Sequence, residues 1–166
     1  MVQIEIGGGS LEPRRSRRPP EDRMTHVPKI HEYMTPTPQC IEAYLSLEQA
    51  RERMFQLNAR HLPVLRNGQL VGIVSERDID MLEAALDVDM ARENELTVAQ
   101  AMTTQPFTCG PDAHLHAVAA EMAAHKYGTA VVVDPDHPGE VVGVFTSTDA
   151  LRALATLCPH DEIAAE

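Results

Sequence analysis

The chain has 166 residues, 43% apolar and 23% charged, with a formal net charge of −11, the composition of a soluble globular protein with one core or two small ones. No apolar run nears the ~20 residues of a membrane-spanning helix, and no signal-type segment opens the sequence, so the expected setting is the cytoplasm with Cys40, Cys109 and Cys158 as reduced thiols. Three cysteines without a Cys-x-x-Cys pair support neither a disulfide framework nor a cysteine zinc site, and 4% aromatic residues without tryptophan leave few stacking platforms for single-stranded nucleic acid.

Residues 1–28 read as a disordered tail. The stretch GGGSLEPRRSRRPPEDR (7–23) is rich in Gly, Pro and Arg and has no apolar period. Its arginines give the tail a charge of +1, while residues 29–166 carry −12. A body of that sign repels polyanions, which confines any nucleic-acid contact to the Arg tract, and a solvated arm is the simpler reading of that tract. Met24 offers an alternative start.

Beyond the tail, Met34-Thr35 leads into an extended stretch, because Pro36 and Pro38 disfavour helix. A helix follows, with Leu47, Ala50, Met54 and Leu57 on one face. His61–Leu65 and Leu70–Val74 read as a hairpin, since Asn67-Gly68 supplies the positive φ angles of a tight turn. A closing helix runs from Ser75 to about Leu86. The order then recurs: Met102-Thr103, a Pro106 break, a helix with Leu115, Val118 and Met122 that Asp112 would cap behind Pro111, strands 129–134 and 141–145 around a longer turn, and a helix from Thr146 to Leu157. Residues 159–166 form a C-terminal tail.

The recurrence is a repeat in the sequence itself. At an offset of 68, Met34, Thr35, Pro38, Leu47 and Met54 fall on Met102, Thr103, Pro106, Leu115 and Met122. After a three-residue insertion, Val71, Gly72 and Asp78 fall on Val142, Gly143 and Asp149. Two copies follow, 29–90 and 95–158, each β-α-β-β-α. Units of this size bury little apolar surface alone, so the expected fold is α/β, with the two repeats packed sheet to sheet as one pseudo-two-fold globule.

Each closing element reads Gly-h-h-Ser/Thr-x-x-Asp: Gly72, Ser75 and Asp78, then Gly143, Thr146 and Asp149. A hydroxyl followed three residues later by an acid caps a helix N-terminus. The same turn also suits a nucleoside, since free amides favour anions, a carboxylate accepts ribose hydroxyls and the glycine allows close approach.

With HEYMTPTP, ARHLPV and LVGIVSERDI in the first copy, and AQAMTTQP, GTAVVV and VVGVFTSTDAL in the second, the sequence resembles a tandem pair of CBS (cystathionine β-synthase-type) domains, a Bateman module. The resemblance covers residues 29–158 and leaves no separate catalytic domain, so the pair is expected to stand alone as a non-catalytic regulatory module. It implies binding of AMP, ADP or ATP, or of S-adenosylmethionine or NAD, in two related clefts. Asp78 and Asp149 would hold the ribose, with Ser75 and Thr146 nearby and Thr35 and Thr103 lining the adenine or ribose side. The strand backbones at His61, Leu62 and Pro63, and at Thr129, Ala130 and Val131, would read the base. Val131 stands where the first copy has Pro63, a departure from the pattern. The family also implies homodimers formed through helices, and the apolar positions Leu82, Leu86, Leu151, Leu154 and Leu157 suit either such a contact or the core.

Phosphates need cations, and Arg60, Arg77, Lys126 and Arg152 flank the proposed strands and closing helices. The histidines make no metal site on this reading, because His114 and His116 in a first helical turn point to different faces and His125 brings no His-x3-His pair. Cys40 and Cys109 read as small core residues, and no nucleophile with a base and orienting group can be assembled. The expectation is a ligand sensor that acts on an unknown regulated protein by population shift. The reading from another class is a ligand-free dimerisation scaffold.

Overall fold

The computed structural model describes residues 26–85 and 96–158. The Arg tract, Leu86 and the C-terminal tail lie outside the described residues. In chain order the strands are β1 (Thr35–Pro36), β2 (Ile41–Glu42), β3 (His61–Arg66), β4 (Gln69–Ser75), β5 (Thr103–Thr104), β6 (Thr108–Cys109), β7 (Thr129–Val133) and β8 (Val141–Thr146). The helices are α1 (Leu47–Leu57), α2 (Glu76–Ala85), α3 (Val98–Ala101), α4 (Leu115–His125) and α5 (Ser147–Leu157).

Local signals account for most of these boundaries. Ser46 caps α1 reciprocally with Gln49: the Gln49 N–H donates to Ser46 Oγ at 3.2 Å and the Ser46 N–H to Gln49 Oε1 at 3.0 Å. Asn58 ends α1 in the left-handed region, and Lys126 does the same for α4. Asn67 and Gly68 both take positive φ and close the β3–β4 hairpin. The left-handed residues themselves repeat, Thr37 with Gln105 and Asn58 with Lys126, at the sequence offset of the two copies. The duplication is thus written in backbone angles as well as side chains.

Two four-stranded sheets result, β2-β3-β4-β5 and β6-β7-β8-β1. In each, a two-residue strand pairs parallel with the first hairpin strand and another pairs antiparallel with the second. Those outer antiparallel strands are exchanged. β1 precedes the first hairpin in the chain yet lies on β8, with Thr35 opposite Val144, while β5 lies on β4, with Thr103 opposite Ile73.

The segments leading into these strands are exchanged too. The Leu115 N–H at the start of α4 donates to Pro28 O at 2.9 Å, and the Leu47 N–H at the start of α1 donates to Leu96 O at 3.0 Å. Ile30 donates in return to Ala113 O at 3.0 Å, and Val98 to Leu45 O at 2.8 Å. Ile30 is buried with Leu115, Val118, Met122, Ala130 and Phe145, whereas Val98 is buried with Leu47, Met54, Leu62, Val74 and Ile79. Each helix-packed cluster therefore contains one apolar residue from the other copy's lead-in.

Three expectations are corrected. Asp112 does not cap α4: His114 holds that position, the backbone there is engaged by the 28–31 segment, and the Asp112 carboxylate accepts from Lys29 Nζ at 2.8 Å. His114 has extended rather than helical angles, so its ring does not diverge from that of His116 but stacks on it, with centroids 5.7 Å apart. Leu57, in the last turn of α1, is 42% exposed instead of joining the core. Leu151, Leu154 and Leu157 are likewise exposed, so the α5 stripe is surface, while Leu82 packs against the first cluster. Among the described residues no helix is long and apolar enough to cross a membrane.

Candidate functional site

At the end of β4 the chain turns into α2 through Ser75. The Ser75 N–H and hydroxyl both donate to Asp78 Oδ2, at 2.9 and 2.6 Å, and the Asp78 N–H donates to Ser75 Oγ at 3.2 Å. The end of β8 repeats the arrangement: Thr146 N–H and Oγ1 donate to Asp149 Oδ2 at 2.8 and 2.6 Å, and the Asp149 N–H donates to Thr146 Oγ1 at 3.2 Å. The capping role of both Ser/Thr-x-x-Asp motifs is therefore realised in full. Asp149 is buried at 6% exposure, and its second oxygen accepts from Arg152 Nη1 at 3.3 Å. Asp78 is half-buried.

The strand exchange decides which threonine shares a sheet edge with which capping motif. Thr103 lies opposite Ile73, two residues before Ser75, and Thr35 lies opposite Val144, two residues before Thr146. Each corner thus combines the carboxylate of one copy with the Met-Thr strand of the other. The glycines make this possible. A Cβ on Gly72 would stand 2.7 Å from Met102 Sδ and 2.9 Å from Thr103 O, and one on Gly143 would collide with the Met34 side chain. The close approach expected at these glycines is made by the other copy's methionine.

The strand positions expected to read a base are divided by the pleat. Leu62 and Ala130 point into the helix-packed clusters, so only their backbones face elsewhere. Pro63 and Val131 are fully buried outside those clusters. Pro63 carries no N–H, and that of Val131 donates to Phe107 O at 2.9 Å, which leaves neither copy an N–H at this register position. His61 is half-buried beside Gly128, 3.5 Å from where that residue's Cβ would be. Burial and Arg60 push its pKa below 6.5, while Asp78 and Glu76 pull the other way. Thr129, its equivalent, is buried at 7% exposure.

Of the four candidate cations, Arg152 is held by Asp149. Arg60 and Arg77 are exposed at the start of α2, where the Arg60 carbonyl accepts from the Glu76 N–H at 3.3 Å. Lys126 is exposed at the end of α4. Cys109 packs against the second cluster, and burial pushes its thiol up to about 11. Cys40 is also raised by burial.

Two features had no signal in the sequence reading. A groove of about 470 Å³ runs between Leu70, Val71, Gln105 and Pro106 on one side and Val133 and Asp134 on the other. It lies at the turn end of the sandwich, since Leu70 is the second residue of β4 and Ser75 its last. In the seven-residue connection there, Asp134, His137 and Glu140 bring their ligating atoms within 4.8 Å of one another. Asp134 pairs with His137 at 3.1 Å, which raises the histidine and lowers the acid.

Residues 30–91 and 98–156 match the family model of the CBS domain. Among curated relatives, an inosine-5'-monophosphate dehydrogenase of Korarchaeum cryptofilum is 34% identical over 104 residues, 63% of this chain and 20% of the enzyme. A homoserine O-acetyltransferase of Methanosphaera stadtmanae is 26% identical over 120 residues, 72% of this chain and 22% of that protein. The chain spans about a fifth of the length of each. Among solved structures, CBSX2 of Arabidopsis thaliana in complex with AMP is 25% identical, with a TM-score of 0.67 over 78% of this chain and 97% of that one. The CBS domain pair of protein MJ0100, in complex with 5'-methylthioadenosine and S-adenosyl-L-methionine, is 26% identical, with a TM-score of 0.69 over 79% and 98%. With two matched repeats filling most of its length and folded as an exchanged pair of sheets, the chain belongs to the CBS domain family, as a tandem pair.

Proposed function

We propose that the chain is a non-catalytic regulatory module that binds adenosine-containing ligands at its two capped corners. The observation that carries this reading is the shared ownership of each corner, an acid from one copy beside the Met-Thr strand of the other. A ligand that touches both sides favours one arrangement of the two halves over others, which is the differential interaction a conformational response needs. The ribose diol would meet Asp78 or Asp149 through the oxygen turned away from the cap, and at Asp149 it would displace Arg152, which swings free to meet a phosphate. AMP, ADP and ATP fit this scheme, and S-adenosylmethionine or NAD are the further candidates, in keeping with the ligands of CBSX2 and MJ0100.

The regulated partner would be a second protein acted on by the occupied form. A homodimer formed through α2 and α5 is part of the reading, supported by the exposed Met81 on α2 and Leu151, Leu154 and Leu157 on α5. A ligand-free scaffold is the second reading, favoured by the fact that both Asp149 oxygens already have partners.

Calorimetric titration with AMP, ATP, S-adenosylmethionine and NAD separates the two. Binding by at least one of them is expected. Asp78→Asn and Asp149→Asn, which keep an acceptor for the cap and remove the charge, should each weaken one site by ~1–3 kcal/mol. A protein that gives neither heat nor a thermal shift at millimolar ligand would establish the scaffold instead.

A further inference from the structure

Thr129 begins β7 on the face turned away from the helices, because Ala130 and Val132 on either side of Val131 enter the helix-packed cluster and alternate residues share a face. Its hydroxyl is shielded from solvent and has no hydrogen-bond partner, alone among the buried side-chain polar atoms of the described residues. A valine would fill the same space without an unpaired polar atom, so the hydroxyl calls for an explanation.

Its surroundings supply one. Thr146 lies directly opposite on β8, with its own hydroxyl engaged by the α5 cap. The buried Asp149 carboxylate is in that cap, at the N-terminus of an 11-residue helix. Gly128, the preceding residue, lies against the His61 ring of the other half. The equivalent position in the first corner is His61 itself, a bulkier ring with two nitrogens.

Resting on the reading of these corners as adenosyl sites, we propose that the Thr129 hydroxyl is a ligand-recognition group and that it makes the Asp149 corner the tighter of the two. A hydroxyl both donates and accepts, which suits a ribose hydroxyl or a ring nitrogen of adenosine. Ligand entry displaces the half-buried His61 ring from Gly128 and gives Thr129 the partner it lacks. Without ligand the hydroxyl weakens the fold, and with ligand it contributes to affinity.

The test is calorimetry with AMP and with adenosine on the full chain, on Thr129→Val and on Thr129→Ser, with thermal unfolding of each ligand-free protein. Thr129→Val should weaken the tighter class of sites at least tenfold while its ligand-free form unfolds at a higher temperature than the parent. Thr129→Ser, which keeps the hydroxyl, should stay within threefold of the parent affinity. Unchanged affinity in Thr129→Val overturns the proposal, as does a loss confined to a weaker class of sites. Lost affinity accompanied by lower ligand-free stability marks a structural hydroxyl and also overturns it. A parent chain that binds neither AMP nor adenosine overturns the adenosyl reading itself, and this proposal with it.

Discussion

His61 begins β3 with Gly128 of the other half against its ring and Arg60, Glu76 and Asp78 close enough to act on its charge. Burial disfavours the imidazolium, so the folded pKa lies below the ordinary 6.5 and the unfolded chain takes up the proton first as the medium is acidified. The stability contributed by neutral His61 is therefore fully present above pH 6.5 and is lost as pH falls from there through the depressed value. The exposed His137 has the opposite sign: its pairing with Asp134 helps below 6.5 and fades as pH rises through the raised value. Comparing thermal midpoints of the parent and His61→Gln between pH 7.5 and 5.5 isolates the first effect from the carboxylates common to both. The variant should gain on the parent as pH falls, and parallel curves would show that His61 does not sense protons in the fold.

At the scale of elements, the glycine–methionine contacts join each hairpin to the other copy's edge strand, and the two contacts differ in what they tolerate. An added methyl at Gly72 meets both the Met102 side chain and the rigid Thr103 carbonyl, whereas at Gly143 it meets only the flexible Met34 side chain. Gly72→Ala should accordingly cost about 1–3 kcal/mol, through displacement of β5, and Gly143→Ala clearly less, since methionine can rotate aside. Denaturant unfolding of the two variants measures this, and equal losses would mean that β5 yields as easily as a side chain. The hairpins and capped helices themselves were legible from the sequence, because Asn67-Gly68, the Leu47-Ala50-Met54 spacing and the Ser/Thr-x-x-Asp boxes each carry a local physical cause. The exchange of β1 and β5 was not, since a two-residue strand has no period and its partner lies far along the chain. For the same reason the sequence named Thr35 and Thr103 as site residues but not the acid that each would face. The unpaired Thr129 hydroxyl was also invisible, because burial and partners exist only once the sheets are packed.

For the whole molecule, the exchanged lead-ins tie each half to the core of the other. Ile30 stands at the beginning of the first copy yet is fully buried in the second cluster, and Val98, its equivalent, is fully buried in the first. Neither cluster is complete without a segment covalently tied to the other, so opening one half strips an apolar plug and helix-capping carbonyls from its neighbour. Under the proposed function, a ligand that tightened one corner would then act on both clusters, the coupling that a regulatory pair needs. Ile30→Ala should remove about 2–5 kcal/mol through the cavity it leaves. If the halves are coupled, native-state hydrogen exchange will show that loss equally in the β3 amides of the first sheet and the β7 amides of the second, although the substitution touches only the second cluster. Acceleration confined to β7 would mean that the halves open independently, and occupancy of one corner would then have no route to the other through the fold.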